Sequence, residues 1–305
     1  MDKIDSELLA QIAGLHDVPQ GAYNIRKNGK SIGRASAQGI EIESKTDVSG
    51  INIRIADGVQ NQSVHIPVIV TAEGLNDLVY NDFYIGKNCD VLIVAGCGIH
   101  NNSEATSGHD GIHTFYVGEN SRVKYVEKHL GIGSATAEKI LNPTTVLHLE
   151  KGAQVIMETV QLVGVSRSVR KTEADLADDA SLDIRESILT DNDQFAATDF
   201  VVQLNGKSSR ANVISRSVAK GTSKQIFNSV VDGNNACFGH IECDAIVMDK
   251  AQVASTPALR NTSVDANLTH EAAIGKIAGE QIVKLQTLGL TQEEAEQVII
   301  KGFLK

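Results

Sequence analysis

One short cassette recurs along the middle of this chain at a nearly constant interval, and that regularity limits the fold more than any other feature. The cassette is an apolar residue, two or three turn-forming residues, a small residue, then apolar residues at alternate positions. It reads Ile85-Gly86-Lys87-Asn88-Cys89-Asp90-Val91 and again Val117-Gly118-Glu119-Asn120-Ser121-Arg122-Val123. Looser copies begin at Leu149, Leu176, Leu204 and Val231, so that successive starts are 32, 32, 27, 28 and 27 residues apart. Such an interval, inside the range of about 20–50 residues, marks a repeat architecture.

Each unit contains two or three short β-branched stretches broken by Gly, Asn and Asp, with no helical period between copies. This excludes horseshoes and helical solenoids, and the coils of a parallel β-helix fit best, because each coil buries the apolar face of its neighbour. A propeller would need about four strands per unit of ~40 residues. Aromatics make up 4% of the chain and Trp is absent, so Val, Ile, Leu and Ala must fill the interior.

The two ends read differently. Ile4, Leu8, Leu9 and Ile12 fall on one helical face that Gly14 stops, and the period of two begins near Gly29. After Asn267 the pattern predicts helix: Ile282, Leu285 and Leu288 lead to a stop at Gly289. Thr291 and Glu294 then form a capping box ahead of a stripe of Ala295, Val298, Ile299 and Phe303. The expected division is a helical segment over 1–28, a β-helix core over 29–267 and a helical region over 268–305. So small a helical hairpin must dock on the strand body, on another protein, or on both.

A net charge of -10 gives no basic footprint for nucleic acid or an anionic membrane. No run approaches the roughly 18 apolar residues of a spanning helix, and residues 1–15 lack the apolar core of an export signal. These features predict a cytoplasmic protein without a membrane or nucleic-acid partner. Four cysteines, Cys89, Cys97, Cys237 and Cys243, are too few for a disulfide framework in 305 residues. Cys89 and Cys237 stand at small-residue corners and read as packed thiols. Phosphate-binding GxxxxGK[ST] and nucleophile-elbow GxSxG patterns are absent, and Gly131-Ile132-Gly133-Ser134-Ala135 lacks the spacing of a dinucleotide fingerprint. ATP hydrolysis by this chain is not expected.

Two places concentrate metal-binding groups. Between Cys97 and His113 lie His100, His109 and Asp110, which the glycines there predict to be a loop. Cys243 lies on a short alternating strand, facing inward with Ile241, while Glu242 and Asp244 face outward. His270 and Glu271 follow where the strand body is expected to end. Thiolate, imidazole and carboxylate at one structural seam form a candidate metal site.

The run from Leu268 to Leu304 resembles the C-terminal signature of the SufB/SufD family of iron-sulfur cluster assembly scaffold proteins. The match comprises His270-Glu271-Ala272, Lys276-Ile277, Leu288-Gly289-Leu290, Glu294-Ala295 and Gly302-Phe303, in order. Upstream, Glu242-Cys243-Asp244 and the strand ending in Gly96-Cys97 are similar to the family's cysteine-bearing segments. The resemblance covers most of the chain from about residue 40, in a form shorter than typical SufB and without the CxxCxxxC set some SufB chains carry.

It implies a mainly β fold: a right-handed parallel β-helix with a small C-terminal helical domain and a short N-terminal helix. It also implies that the terminal helices bind a SufC-like ABC-type ATPase and that two core subunits pair through their last strands. Cys243 and Glu271 match SufB positions associated with cluster assembly, and His270 matches a histidine of SufD. All three in one chain imply a homodimer, a transient iron-sulfur cluster held by Cys243, His270 and Glu271, and a scaffold instead of an enzyme. Cys97 belongs to the same candidate set. Two other readings of the residues are a left-handed β-helix acyltransferase with His100 or His113 as base, which would need unbroken tandem hexads, and a structural dimer platform without metal chemistry.

Overall fold

A computed structural model describes residues 3–134, 136–161 and 164–305. Leu162 and Val163, at the end of an expected strand, and Ala135, at the end of the glycine-rich run that lacks a dinucleotide fingerprint, lie outside these residues, as do Met1 and Asp2. The strands form two ten-stranded sheets. The first runs, in spatial order, β2 (Lys30–Ala35), β1 (Ala22–Lys27), β5 (Gln60–Val70), β7 (Asp90–Asn101), β9 (Arg122–Gly133), β12 (Gln154–Gln161), β14 (Ser181–Thr190), β16 (Arg210–Ala219), β18 (Phe238–Val247), β20 (Asn267–Gly275). The second runs β3 (Ile40–Ser44), β4 (Gly50–Ile55), β6 (Asn76–Ile85), β8 (Ser107–Val117), then β10 (Lys139–Leu141) with β11 (Thr144–Leu149), β13 (Arg167–Leu176), β15 (Phe195–Leu204), β17 (Lys224–Gly233), β19 (Gln252–Asn261). From β4 on, consecutive strands alternate between the sheets, with β10 and β11 together filling one place, which makes a β-solenoid of about eight turns. The predicted β-helix is therefore the fold.

In-register stacking explains the cassette. Ile85, Val117, Leu149, Leu176 and Leu204 are Cα partners in one row across the second sheet. Each turn after this row places a residue in the left-handed region: Asn88 (φ 56°), Asn120 (φ 57°), Gly152 (φ 69°), Asp179 (φ 58°) and Ser208 (φ 60°). Asn, Asp and Gly tolerate that conformation best, which is why they punctuate every copy. Their amides donate to the next coil's carbonyl, as Asn88 N does to Glu119 O (2.9 Å) and Asn120 N to Lys151 O (3.0 Å).

The row also corrects the repeat at both ends. Leu204 pairs with Gly233, not with Val231, so the last interval is two residues longer than expected. An unrecognised copy stands at Ile55, the partner of Ile85. The strand body begins ahead of residue 29, because Asn28 and Gly29, both at positive φ, turn the β1–β2 hairpin. It ends beyond residue 267, since Asn267–Gly275 is a strand paired with β18 and not a helix.

The helix α1 (Lys3–Ala13) buries Leu8, Leu9 and Ile12 against Ile25, Ile69 and Leu130, while Ile4 stays exposed. A side chain at Gly98 would meet Leu8, so the glycines of β7 give the helix its seat. At the other end lie α2 (Gly279–Gln286) and α3 (Gln292–Phe303). The predicted capping box is present: Glu294 N donates to Thr291 Oγ1 (3.2 Å) and Thr291 N to Glu294 Oε2 (2.8 Å). Ala295 and Ile300 are the buried residues of α3, and Ser187 on β14 donates to Leu304 O (2.9 Å), which ties the tail back to the solenoid. Val298 faces outward instead of joining the expected stripe. Among the described residues no helix is long and apolar enough to cross a membrane.

Corner stacking makes a test of packing. A Cβ at Gly206 would lie 2.0 Å from the Ala177 carbonyl carbon and 2.1 Å from Asp178 N, whereas one at Gly302 in α3 would meet nothing within 4 Å. Gly206→Ala is expected to destabilise the fold by about 1–3 kcal/mol, and Gly302→Ala to be neutral or stabilising by up to about 1 kcal/mol. Urea denaturation of both variants measures the contrast.

Candidate functional site

Strand alternation sorts the predicted site residues onto two faces. On β18, Ile241 and Cys243 point inward and are buried, whereas His240 and Glu242 are partly exposed on the outer face. Ile241 pairs with His270, Glu242 with Glu271 and Cys243 with Ala272. His270 thus shares the inward face with Cys243, while Glu271 lies on the outer face beside Glu242. Among the described residues no further coil covers β20, so His270 is exposed although its face is the core face. The structure brings Cys243 and His270 to one face and separates Glu271 from them by the thickness of a sheet.

Cys243 is held as a thiol. Burial pushes its pKa up, the nearby Ser255 on the opposite sheet pulls it down, and the charges of Glu186 and Asp244 raise it again. Cys97, at the other end of the interior, is buried among Val68, Val70, Ile99, Leu141 and Val165. Burial, then the charges of Asp77 and Glu127, hold its thiol well above the usual range. The two cysteines sit in different coils and form no common site.

Between them the solenoid interior is polar along one side. Glu127, Thr159, Glu186, Ser215 and Cys243 are consecutive register partners across the first sheet, all buried. Arg170 reaches over from the second sheet, with Nη1 2.6 Å from Glu127 Oε2 and Nε 3.5 Å from Glu186 Oε1. Thr198 and Ser215 hydroxyls donate to Glu186 at 3.0 and 2.9 Å. Burial disfavours both carboxylates, but Arg170 and His129 overcome it at Glu127, which is held well below the usual range. Glu186 stays raised because burial outweighs its partners. Two carboxylates thus share one guanidinium, and Glu127 takes the larger share.

The histidines expected on a loop belong to this interior. Strand β8 begins at Ser107, so His109, Gly111 and His113 alternate inward on a strand, and only 102–106 connect it to β7. Glycine there serves close packing: a Cβ at Gly111 would lie 3.2 Å from His113 Nε2 and 3.4 Å from His109 Nε2. His109 Nδ1 is 3.3 Å from Asp77 Oδ2, and Arg26 grips Asp77 with two 2.7 Å hydrogen bonds. Asn81 Nδ2 donates to His113 Nε2 (3.3 Å), and His113 Nδ1 lies 2.9 Å from the Tyr125 hydroxyl. Burial drives the His113 pKa down to about 4, so the ring is neutral at pH 7. His100 lies apart from it, on β7 beside Asn102.

This polar ladder is what sequence reasoning missed. Its signal was present: Glu127 has the same parity as Val123 and Tyr125, and Glu186 the same as Leu182 and Ile184. A charged residue in the apolar register of a buried strand is an inward-facing charge.

On the outer face, His240, Glu242 and Glu271 place one ligand atom each within 4.8 Å of one another. Residues 83–303 match the model of the SUF system FeS cluster assembly SufBD core domain. The chain belongs to the SufBD family. An iron-sulfur cluster assembly SufBD family protein of Pyrococcus horikoshii is 30% identical over 282 residues, covering 90% of this chain and 84% of that protein. Others from Methanocaldococcus jannaschii (24% over 290 residues, 93% and 90% covered) and Archaeoglobus fulgidus (27% over 263 residues, 85% and 69% covered) are similar. Membership of the SufBD family places the chain in iron-sulfur cluster assembly.

The buried histidines set a pH dependence. His113 titrates near 6.5 unfolded and about 4 folded, so the unfolded chain binds the extra proton between those values and stability falls as pH drops through that window. The full loss for this one group is on the order of 3 kcal/mol below pH 4. His113→Asn is expected to flatten the stability profile between pH 6.5 and 4 in urea titrations.

Proposed function

We propose that this SufBD protein is a scaffold that builds a nascent iron-sulfur cluster at a homodimer interface formed by its last coil, driven by a SufC-like ABC-type ATPase in the cytoplasm. The observation that carries the reading is the uncapped end of the solenoid. Strands β19 and β20 are the outermost strands of their sheets, with exposed faces, and Cys243 lies one strand behind them on the same face as His270. An exposed sheet edge of this length is a template for another strand, and a second copy supplies the same edge by two-fold symmetry.

The terminal helices support an ATPase partner. Val283, Leu288 and Val298 are 58%, 75% and 50% exposed, so the hairpin presents apolar residues away from the solenoid. Only Lys276, Ile277 and Ala278 separate β20 from α2, so a force applied to the helices by ATP-driven closure reaches β20 directly. Shifting β20 uncovers Cys243. Its thiol, neutral at rest, ionises when iron arrives, because a metal-bound thiolate is stabilised where a free one is not. His270 supplies an imidazole on the same face. Glu271, on the outer face, joins only where the edge strand rearranges or the second subunit presents it. The iron and sulfide are cargo, held transiently.

Anaerobic reconstitution with the partner ATPase, ferrous iron and a sulfide source tests this. Parental protein is expected to develop the visible cluster chromophore, and Cys243→Ser to lose most of it while keeping its thermal unfolding midpoint. Full chromophore in Cys243→Ser would leave a structural platform as the better reading.

A further inference from the structure

The geometry points to a mononuclear site for a divalent transition-metal ion on the outer face of the last coil, made by His240, Glu242 and Glu271. It is separate from the inward set of Cys243 and His270. The inference does not rest on the cluster-assembly reading, and it reassigns Glu271 from the thiol's face to the opposite one.

Three observations carry it. His240 and Glu242 alternate along β18, and Glu271 is the register partner of Glu242 on β20, so hydrogen-bonded pairing fixes all three backbones. Their ligand atoms lie within 4.8 Å of one another, and His240 Nε2 is 3.4 Å from Glu271 Oε1. Ligands at about 2.0–2.2 Å from one ion are about 3–4 Å apart, so the set closes with small rotamer changes. Behind the imidazole, Thr269 Oγ1 lies 2.8 Å from His240 Nδ1. With Nδ1–H donated to that hydroxyl, Nε2 carries its lone pair toward the two carboxylates, the tautomer that metal-binding histidines adopt.

The side chains of His240, Glu242 and Glu271 are 23%, 18% and 66% exposed, so water completes the coordination and the ion has a direct path in. One imidazole nitrogen and two carboxylate oxygens without sulfur suit Fe2+, Mn2+, Co2+ or Zn2+, and not a soft monovalent ion. Arg216 Nη2, 3.4 Å from Glu242 Oε1, is the competing cation. Removing it frees a ligand and is expected to tighten metal binding.

Manganese is the probe, because the spectrum of free Mn2+ in electron paramagnetic resonance disappears on binding. Titration of the metal-stripped full chain at pH 7.5 is expected to give one Mn2+ per chain. Affinity falls at least tenfold in His240→Ala and in Glu242→Gln, falls in Thr269→Val, and rises in Arg216→Gln. Cys243→Ser and His270→Ala bind as the parent does. Thermal unfolding midpoints of all variants confirm that each is folded. The proposal is overturned if the parent binds no Mn2+ below millimolar concentration, if His240→Ala and Glu242→Gln bind as the parent does, or if Cys243→Ser loses the ion. The last outcome would put the metal on the inward thiol set. Loss of cluster assembly in Cys243→Ser with Mn2+ binding intact keeps this site distinct from the scaffold reading.

Discussion

Everything in this molecule depends on coils stacking in register. A single coil has an apolar inner face that nothing within the coil can cover, and only the next coil's matching row buries it. The row from Ile85 to Leu204 is that contact in its simplest form, one aliphatic side chain above another. Such an arrangement is closed in its middle and unfinished at its ends. At the N-terminal end the antiparallel β1–β2 and β3–β4 pairs and helix α1 finish it. At the C-terminal end none of the described residues does, and there Cys243 and His270 lie.

Stacking also sets the chemistry. Register carries any inward polar residue into line with its neighbours, so Glu127, Thr159, Glu186, Ser215 and Cys243 form a row instead of isolated buried groups. Charge in that row is tolerated because Arg170 serves two carboxylates and hydroxyls satisfy Glu186. The period of two that aligns them also separates Cys243 from Glu271. Two residues that pattern matching assigns to one site thus face opposite sides of one sheet, and each has its own imidazole: His270 shares the face of Cys243, and His240 that of Glu271.

Much of this was legible in the sequence. The interval of the cassette, the apolar face of α1 and the Thr291–Glu294 cap each rest on local chemistry that tertiary context reinforces. What was not legible has physical causes. Residues Asn267–Gly275 carry Glu271, Ala272 and Ala273, good helix formers, yet the unpaired edge of β18 recruits them as a strand. Glycines near His109 and His113 read as loop signals, whereas Gly96, Gly98 and Gly111 make room for a helix and two imidazoles. The polar ladder is legible only by parity, because Glu127 and Glu186 stand in the buried register of their strands with Val123 and Tyr125 and with Leu182 and Ile184.

The central claim is that the uncapped last coil is completed by a second copy of the chain. Hydrogen–deuterium exchange of the amides of Asn267–Gly275, followed across protein concentration together with solution mass, tests it most directly. The account predicts a dimer mass and β20 amides whose protection appears with dimer formation. A monomer at all concentrations, or a dimer in which those amides exchange as freely as a solvent-exposed edge, would contradict it.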